Sequence, residues 1–110
     1  MINYTTPTIT LTVEGVDITS CDVYVSLEQG STEITKSGTD LTLATEAVGH
    51  NTNTTISFAL TQEESGSFNV KLPVSLQVNW INSSGVRTAT EIVSLPVMKN
   101  LLNEVVEYGS

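Results

Sequence analysis

The stretch VKLPVSLQVNW, residues 70–80, alternates apolar and polar side chains over most of its length. Successive side chains of a strand point to opposite faces, so this period of two predicts a half-buried β-strand with Trp80 in the core. Pro73 lacks a backbone N–H, and regular pairing is therefore expected to begin at Val74, or the strand lies at a sheet edge there. The apolar positions of this stretch are all even-numbered: Val70, Leu72, Val74, Leu76, Val78 and Trp80.

A second β-rich run, VRTATEIVSLPV, follows at residues 86–97. The two runs predict a long hairpin, in which Gly85 supplies the positive φ that a short loop with a bulge needs. The apolar face of the second run is even-numbered up to Ile92 and odd-numbered from Val93 onwards. This change of phase predicts either a β-bulge or a strand that crosses between two sheets.

Shorter alternating runs upstream predict the rest of the sheet structure. About seven antiparallel strands separated by frequent turns favour an all-β, immunoglobulin-like β-sandwich over residues 8–97. The sequence VGHNTN, residues 48–53, is typical of a loop. The upstream strands are expected at residues 8–14, 23–29, 31–36, 40–47 and 54–60.

One helical turn is expected inside this all-β pattern, near residues 61–66. Thr61 and Glu64 have the spacing of a capping box, in which each side chain accepts a hydrogen bond from the backbone of the other residue. The turn would end at Gly66, and Phe68 would pack beneath it.

The two termini lie outside the predicted sandwich. Residues 1–7 are expected to form a flexible arm, and residues 98–110 a C-terminal docking segment. Helical spacing of the apolar residues predicts a short amphipathic helix, although Val105 and Val106 could equally extend a strand. So short a helix is unstable alone in water, so it would dock on its own sandwich or on a neighbouring subunit. The predicted partner-binding residues are Met98, Leu101, Leu102, Val105 and Val106.

The overall charge disfavours several classes of partner. Four Lys and Arg against twelve Asp and Glu give a formal net charge of -8. Such a surface repels nucleic-acid phosphates and anionic membranes. No signal peptide and no segment of membrane-spanning length are recognisable, so synthesis in a reducing cytoplasm is expected. The single cysteine, Cys21, excludes an intrachain disulfide.

No motif in the sequence indicates catalysis. His50 lies in a polar loop without a nucleophile motif nearby, and Asp22 disfavours the thiolate of Cys21, which is expected to be inert and partly buried. Paired acidic residues such as Glu63 and Glu64 lack the spacing of a calcium-binding loop. We therefore expect no enzymatic activity, no cofactor, no metal and no small-molecule substrate.

Two long segments resemble a known class of protein. LTQEESGSF at residues 60–68 and VSLQVNWINSSGVRTATEIVSLPVMKNLL at residues 74–102 resemble small virion-associated structural proteins of phages and prophages of Gram-positive bacteria. TLTVEGVDITSCDVYVSLEQGSTEITKSG, residues 10–38, fits the opening of the same pattern. The layout is also similar to the immunoglobulin-like N-terminal module of phage baseplate upper proteins.

The resemblance implies a non-enzymatic structural component of a virion head, tail or baseplate. Its partners would be other virion subunits or further copies of itself, as a homo-oligomer. It would be made in the host cytoplasm and then reside in the virion. The alternative is a carbohydrate- or surface-binding adhesion module, for which Tyr4, Tyr24 and Tyr108 are the available exposed aromatic residues.

Overall fold

Two antiparallel β-sheets share one apolar core in the computed structural model, which describes residues 1–109. The prediction of an all-β sandwich is confirmed at this level. In chain order the strands are β1 (Thr8–Val13), β2 (Asp22–Gln29), β3 (Thr32–Ser37), β4 (Thr42–Val48), β5 (Asn51–Ala59), β6 (Val74–Ile81), β7 (Arg87–Ala89) and β8 (Val93–Leu95). The smaller sheet has the order β1-β5-β4 and the larger β3-β2-β6-β7, with β8 also paired to β6.

The central strands supply most of the core. Their alternating apolar side chains are buried as the sequence predicted, because one face of each sheet lies against the other sheet. Trp80 packs against this core but is only half-buried. The buried side chains of these strands are Val23, Val25, Leu27, Ile56, Phe58, Val74, Leu76 and Val78.

Strand β6 begins at Val74, directly after Pro73, as predicted. The preceding loop is held by Gln29, whose Nε2 donates to the carbonyls of Asn69 at 2.7 Å and Leu72 at 2.8 Å. Val70 is exposed, as is Leu72. The first part of the alternating sequence is therefore loop, because Pro73 and the Gln29 contacts separate it from the strand.

The turn of the predicted hairpin is organised by one asparagine side chain. The Oδ1 of Asn82 accepts hydrogen bonds from the amides of Ser84 and Val86, both at 3.0 Å. Gly85 has φ 80°, a region that glycine adopts without steric cost. The predicted role of Gly85 is confirmed.

The change of phase in the second arm of the hairpin is a β-bulge. Asn79 pairs with Ala89 in β7, and Leu76 pairs with Val93 in β8. Three residues, 90–92, therefore face two residues of β6, and β7 and β8 both stay paired to β6. A crossing between sheets, the alternative explanation, does not occur. The interruption gives eight strands in residues 1–109, where about seven were expected.

Thr90 satisfies the hydrogen-bonding groups that the bulge would otherwise leave open. Its amide donates to the carbonyl of Val78 at 2.9 Å, and its Oγ1 accepts from the Val78 amide at 3.1 Å. Gln77 Nε2 donates to the Thr90 carbonyl at 3.0 Å. A threonine at this position thus maintains the pairing across the irregularity.

The predicted helical turn is present as α1 (Gln62–Gly66). Its capping box is formed, with the Glu64 amide 3.1 Å from Thr61 Oγ1 and the Thr61 amide 2.9 Å from Glu64 Oε1. Lys36 Nζ lies 2.8 Å from Glu64 Oε1 and joins β3 to the helix. Burial opposes ionisation of Glu64, but the hydrogen bonds from Lys36 and Thr61 outweigh it and lower its pKa below the ordinary 4.5. Phe68 is buried, as expected.

The prediction of a loop at residues 48–53 is wrong. Val48 already pairs with Asn51, so that Gly49 and His50 alone form the turn between β4 and β5. Gly49 has φ 61°, which suits the first position of a two-residue hairpin turn. An Asn- and Thr-rich composition is typical of a loop, but here residues 51–53 begin strand β5, whose side chains are mostly polar.

The connection between β1 and β2 is fixed by a buried threonine. Thr54 Oγ1 donates to the Val16 carbonyl at 2.8 Å and accepts from the Ile18 amide at 3.1 Å. Thr54 is fully buried, and so is Ile18. Ile18 therefore anchors the connection in the core, while most of its other residues are exposed.

Candidate functional site

The C-terminal segment, defined as residues 98–109, contains no helix, and the predicted C-terminal helix is wrong. In a helix the Leu102 amide would donate to the Met98 carbonyl. Instead it donates to Asn100 Oδ1 at 3.1 Å, and the Met98 carbonyl accepts from the Asn3 amide at 3.0 Å. Asparagine side chains compete with helical hydrogen bonds in this way. Val105 and Val106 do not extend a strand either.

The N-terminal residues hold the beginning of this segment. The Met98 amide donates to the Met1 carbonyl at 2.6 Å, and the terminal ammonium group donates to the Pro96 carbonyl at 2.8 Å. Asn3 is buried, and its Oδ1 accepts a hydrogen bond from the Asn100 amide at 2.9 Å. These bonds join the N-terminal arm to residues 96–100. The flexibility of the arm stays a prediction. Any movement of the arm would have to break these hydrogen bonds.

The helix α1 holds the segment a second time, near its end. Gln62 Nε2 donates to the Val106 carbonyl at 2.8 Å, and Gln62 Oε1 accepts from the Val106 amide at 2.9 Å. One side chain thus satisfies both backbone groups of Val106, as a neighbouring strand would. The backbone of the segment is fixed at both ends without a helix.

The apolar side chains of the segment point largely into solvent. Their exposed fractions are 60% for Met98, 90% for Leu101, 53% for Leu102, 45% for Val105 and 46% for Val106. A segment that covered its own core would bury such residues. All five predicted partner-binding residues therefore leave apolar surface exposed.

The structure places three of these five residues in two neighbourhoods, Met98 beside Ile2 and Val105 with Val106 beside α1. Met98 forms a parallel bridge with Ile2, which is itself exposed. Val105 and Val106 line a recess of about 560 Å³ beside α1, together with Leu60 and Gln62. Ile2, Asn3 and Gln62 were not predicted, because no sequence pattern relates residues so far apart in the chain.

Tyr4 packs against α1 and positions the arm. It adopts φ 58°, a left-handed conformation that tyrosine rarely takes. A Cβ atom at Gly66 would lie 2.5 Å from Cε1 of the Tyr4 ring, so any larger residue there would displace the ring. Ser65 Oγ, which is buried, donates to the Thr5 carbonyl at 2.6 Å. The helix thus contacts both terminal segments of the chain.

A second surface lies on the outer face of the larger sheet. A groove of about 420 Å³ is lined by Tyr24, Asn79 and Arg87 among other residues. Tyr24 is exposed on β2, and Arg87 Nε donates to Asn79 Oδ1 at 3.2 Å. The groove combines the aromatic side chains of Tyr24 and Trp80 with several groups that form hydrogen bonds.

The residues considered for chemistry are dispersed. His50 is exposed in the β4–β5 turn, and Cys21 is a free, half-buried thiol, as expected for its burial. Asp17 Oδ1 accepts two hydrogen bonds from Thr19, one from its hydroxyl at 2.6 Å and one from its amide at 2.9 Å. These hydrogen bonds lower the pKa of Asp17 below its ordinary value. They account for Asp17 as a turn-forming residue.

Three further findings concern the described chain as a whole. Within residues 1–109, no three His, Cys, Asp or Glu side chains lie close enough together to hold a metal ion. Neither is any helix of that range long and apolar enough to cross a membrane. Comparisons with protein-family models, curated proteins and solved structures return no match.

Proposed function

We propose that the protein is a non-enzymatic structural protein of a phage or prophage virion, and that its C-terminal segment contacts another subunit. The observation that carries the proposal is the set of exposed apolar side chains from Met98 to Val106. Several exposed apolar side chains within one short segment are typical of protein–protein contacts. The partner is another virion subunit or a further copy of the chain.

The way the segment is held supports a binding role. Asn3 fixes residues near Met98, and Gln62 fixes Val106. A backbone that is already ordered loses little conformational entropy when its side chains become covered. The segment therefore presents its apolar groups in a form suited to binding.

We further propose that the sandwich is immunoglobulin-like. When β7 and β8 are counted as one bulged strand, the order β1-β5-β4 over β3-β2-β6-β7 corresponds to immunoglobulin strands B-E-D over C′-C-F-G. The first strand, A, has no counterpart among the strands of residues 1–109. This topology agrees with the resemblance to the N-terminal module of baseplate upper proteins.

The virion assignment comes from the sequence resemblance of residues 60–68 and 74–102. In that role the protein is made in the host cytoplasm and then incorporated into the head, tail or baseplate. Capsid, portal or tail genes next to its own gene would support the assignment. Genes of an unrelated metabolic pathway on both sides would count against it.

Removal of the chain after Val97 tests the role of the segment. We expect the truncated protein to keep its β-sheet circular dichroism and cooperative unfolding, because the main core lies in residues before 98. Sedimentation velocity and binding to virion particles should show loss of oligomerisation or of particle binding. Unfolding of the truncated chain would instead mean that the segment is part of the core.

Single substitutions separate loss of contact from loss of structure. Leu101→Asp replaces the most exposed apolar residue of the five. Val86→Asp is the matched control, since Val86 is also exposed but lies in the hairpin turn. Association should weaken for Leu101→Asp and remain for Val86→Asp. Equal effects of the two changes would contradict a specific contact at the segment.

The second candidate function is a carbohydrate- or surface-binding adhesion module. It is favoured by the groove with Tyr24, Asn79 and Arg87, because an exposed ring beside amide and guanidinium groups suits a sugar. Glycan-array binding that is lost in Tyr24→Ala and kept in Tyr108→Ala would support it. Absence of binding on the array would count against the adhesion module and favour the structural role.

A further inference from the structure

The four edges of the two sheets are not equally protected. Natural proteins discourage pairing of an exposed edge with another chain by charges, prolines or bulges. Edge strand β4 carries Glu46, β3 carries Glu33 and Lys36, and the β7–β8 edge carries Glu91 and the bulge. Strand β1, with the sequence TITLTV, has none of these features. Its six residues are uncharged and favour β-structure, and the flanking Pro7 and Glu14 lie outside the strand.

A groove lies beside this unprotected edge. Its volume is about 720 Å³, and it is bounded by β1 on one side and by parts of β6 and the β7–β8 edge on the other. Apolar side chains from both sheets line it: Leu11, Val13, Leu76, Val78 and Val93. The groove thus combines free strand-pairing groups with an apolar floor, which are the two requirements for addition of a strand.

The charges at the groove indicate what kind of segment fits. Glu14 and Glu91 line it, and none of its lining residues is basic. A second copy of the chain would bring a further net charge of -8 to this edge. An occupant with lysine or arginine would be attracted instead, because opposite charges at an interface favour association.

We propose that β1 and the adjoining groove bind an extended segment of another protein, which adds to the smaller sheet as a further strand. The segment has apolar residues at alternate positions, which enter the groove, and a lysine or arginine that pairs with Glu14 or Glu91. Backbone hydrogen bonds to β1 provide affinity and the side chains provide selectivity. This surface is separate from the C-terminal segment and does not depend on its proposed role.

Binding of a designed peptide to the full-length protein tests the proposal. The probe is the acetylated peptide KTVTVTVK, with alternating valines and a lysine at each end. Nuclear magnetic resonance should show hydrogen-exchange protection of β1 amides at peptide concentrations up to about 1 mM. A peptide N-methylated at every residue should not bind, because it lacks the donors needed for strand pairing at either of its edges.

Charge reversal tests the selectivity. The double variant Glu14→Lys/Glu91→Lys should bind KTVTVTVK about three- to tenfold more weakly and prefer the peptide ETVTVTVE. Both glutamates are exposed, so the fold should be retained. The control variant Glu33→Lys/Glu46→Lys alters two other edges and should bind as the unmodified protein does.

Three results would overturn the proposal. One is the absence of β1 protection at about 1 mM peptide. Another is binding that is unaffected by the Glu14 and Glu91 reversals or by N-methylation. The third is a dimer whose β1 amides are protected without peptide, which would assign the edge to a second copy. Loss of particle binding on truncation after Val97 would be unaffected by any of these outcomes.

Discussion

The β6–β8 hairpin and the C-terminal segment follow one another in the chain, and both carry a regular apolar pattern. In the hairpin, Val74, Leu76 and Val78 are buried, and the backbone pairs with neighbouring strands. In the segment, Leu101 and Val106 are exposed, and side chains of other residues hold the backbone. An apolar pattern determines local structure only where a second surface of the same chain covers it.

The difference has an energetic consequence. Apolar groups of the hairpin stabilise the fold by leaving water, whereas those of the segment remain largely hydrated. Substitutions in the hairpin should therefore change the free energy of unfolding. Substitutions in the segment should change association and leave stability nearly unaltered.

The largest contrast is expected between two leucines. Leu76→Ala removes a buried side chain between the sheets and should lower the free energy of unfolding by about 3 kcal/mol. Leu101→Ala removes an exposed one and should change it by less than about 0.5 kcal/mol. Urea unfolding followed by circular dichroism measures both. Similar losses for the two variants would remove the distinction between hairpin and segment.

A substitution at Thr54 tests how much its side chain stabilises the connection between β1 and β2. Thr54→Val leaves the buried Ile18 amide and the Val16 carbonyl without their partner. The expected loss is about 2 kcal/mol, the cost of unsatisfied buried polar groups. Thr42→Val, at an exposed position of β4, is the control and should be nearly neutral. A neutral Thr54→Val would show that these two hydrogen bonds do not anchor the connection between β1 and β2.

A substitution at Glu64 tests the contact between the larger sheet and α1. Folding lowers the Glu64 pKa, so its charged form stabilises the protein above the ordinary pKa of 4.5. That contribution is lost as the pH falls through the lower pKa of the folded state. Glu64→Gln should cost about 1 kcal/mol near neutral pH and less in acid.

The matched control for this change is Glu63→Gln, on the exposed side of the same helical turn. Urea unfolding at neutral and acidic pH should give nearly unchanged stability for the control. A cost of Glu64→Gln that grows as the pH falls would have the wrong sign for a carboxylate whose pKa is lowered.

The smallest effect on stability is expected at Gln62. Gln62→Ala removes both hydrogen bonds to Val106 and should cost about 0.5 kcal/mol, because the contact is exposed. Hydrogen exchange at the Val106 amide should accelerate strongly, while exchange in β6 stays unchanged. Unaltered protection of Val106 would mean that Gln62 does not hold the segment.

Much of the fold could be predicted because its signals are local. Pro73, Gly85 and the phase change at Ile92–Val93 each specify one feature of the hairpin, and Thr61 with Glu64 specifies the capping box. The bulge itself follows from the apolar phase. Its completion by Thr90 could not be predicted, since that needs the register against β6.

For the candidate site, the partner-binding role of the residues stays a prediction, and the predicted helical conformation is wrong. Helical spacing identified the apolar residues of the segment, whereas the hydrogen bonds from Asn3 and Gln62 decide its backbone. Those partners are far away in sequence and leave no periodic signal. The groove beside β1 also depends on which strands become edges, which only the tertiary arrangement determines.

Incorporation into virions tests the central claim most directly. On the proposed function the gene lies in a phage or prophage. The protein and its Leu101→Asp/Leu102→Asp variant would be produced from that phage or induced prophage, and the purified particles would be analysed by mass spectrometry. We predict that the unmodified protein is present in the particles and that the variant, equally stable in urea, is absent. Particles without the protein, or particles that contain both forms equally, would contradict the account.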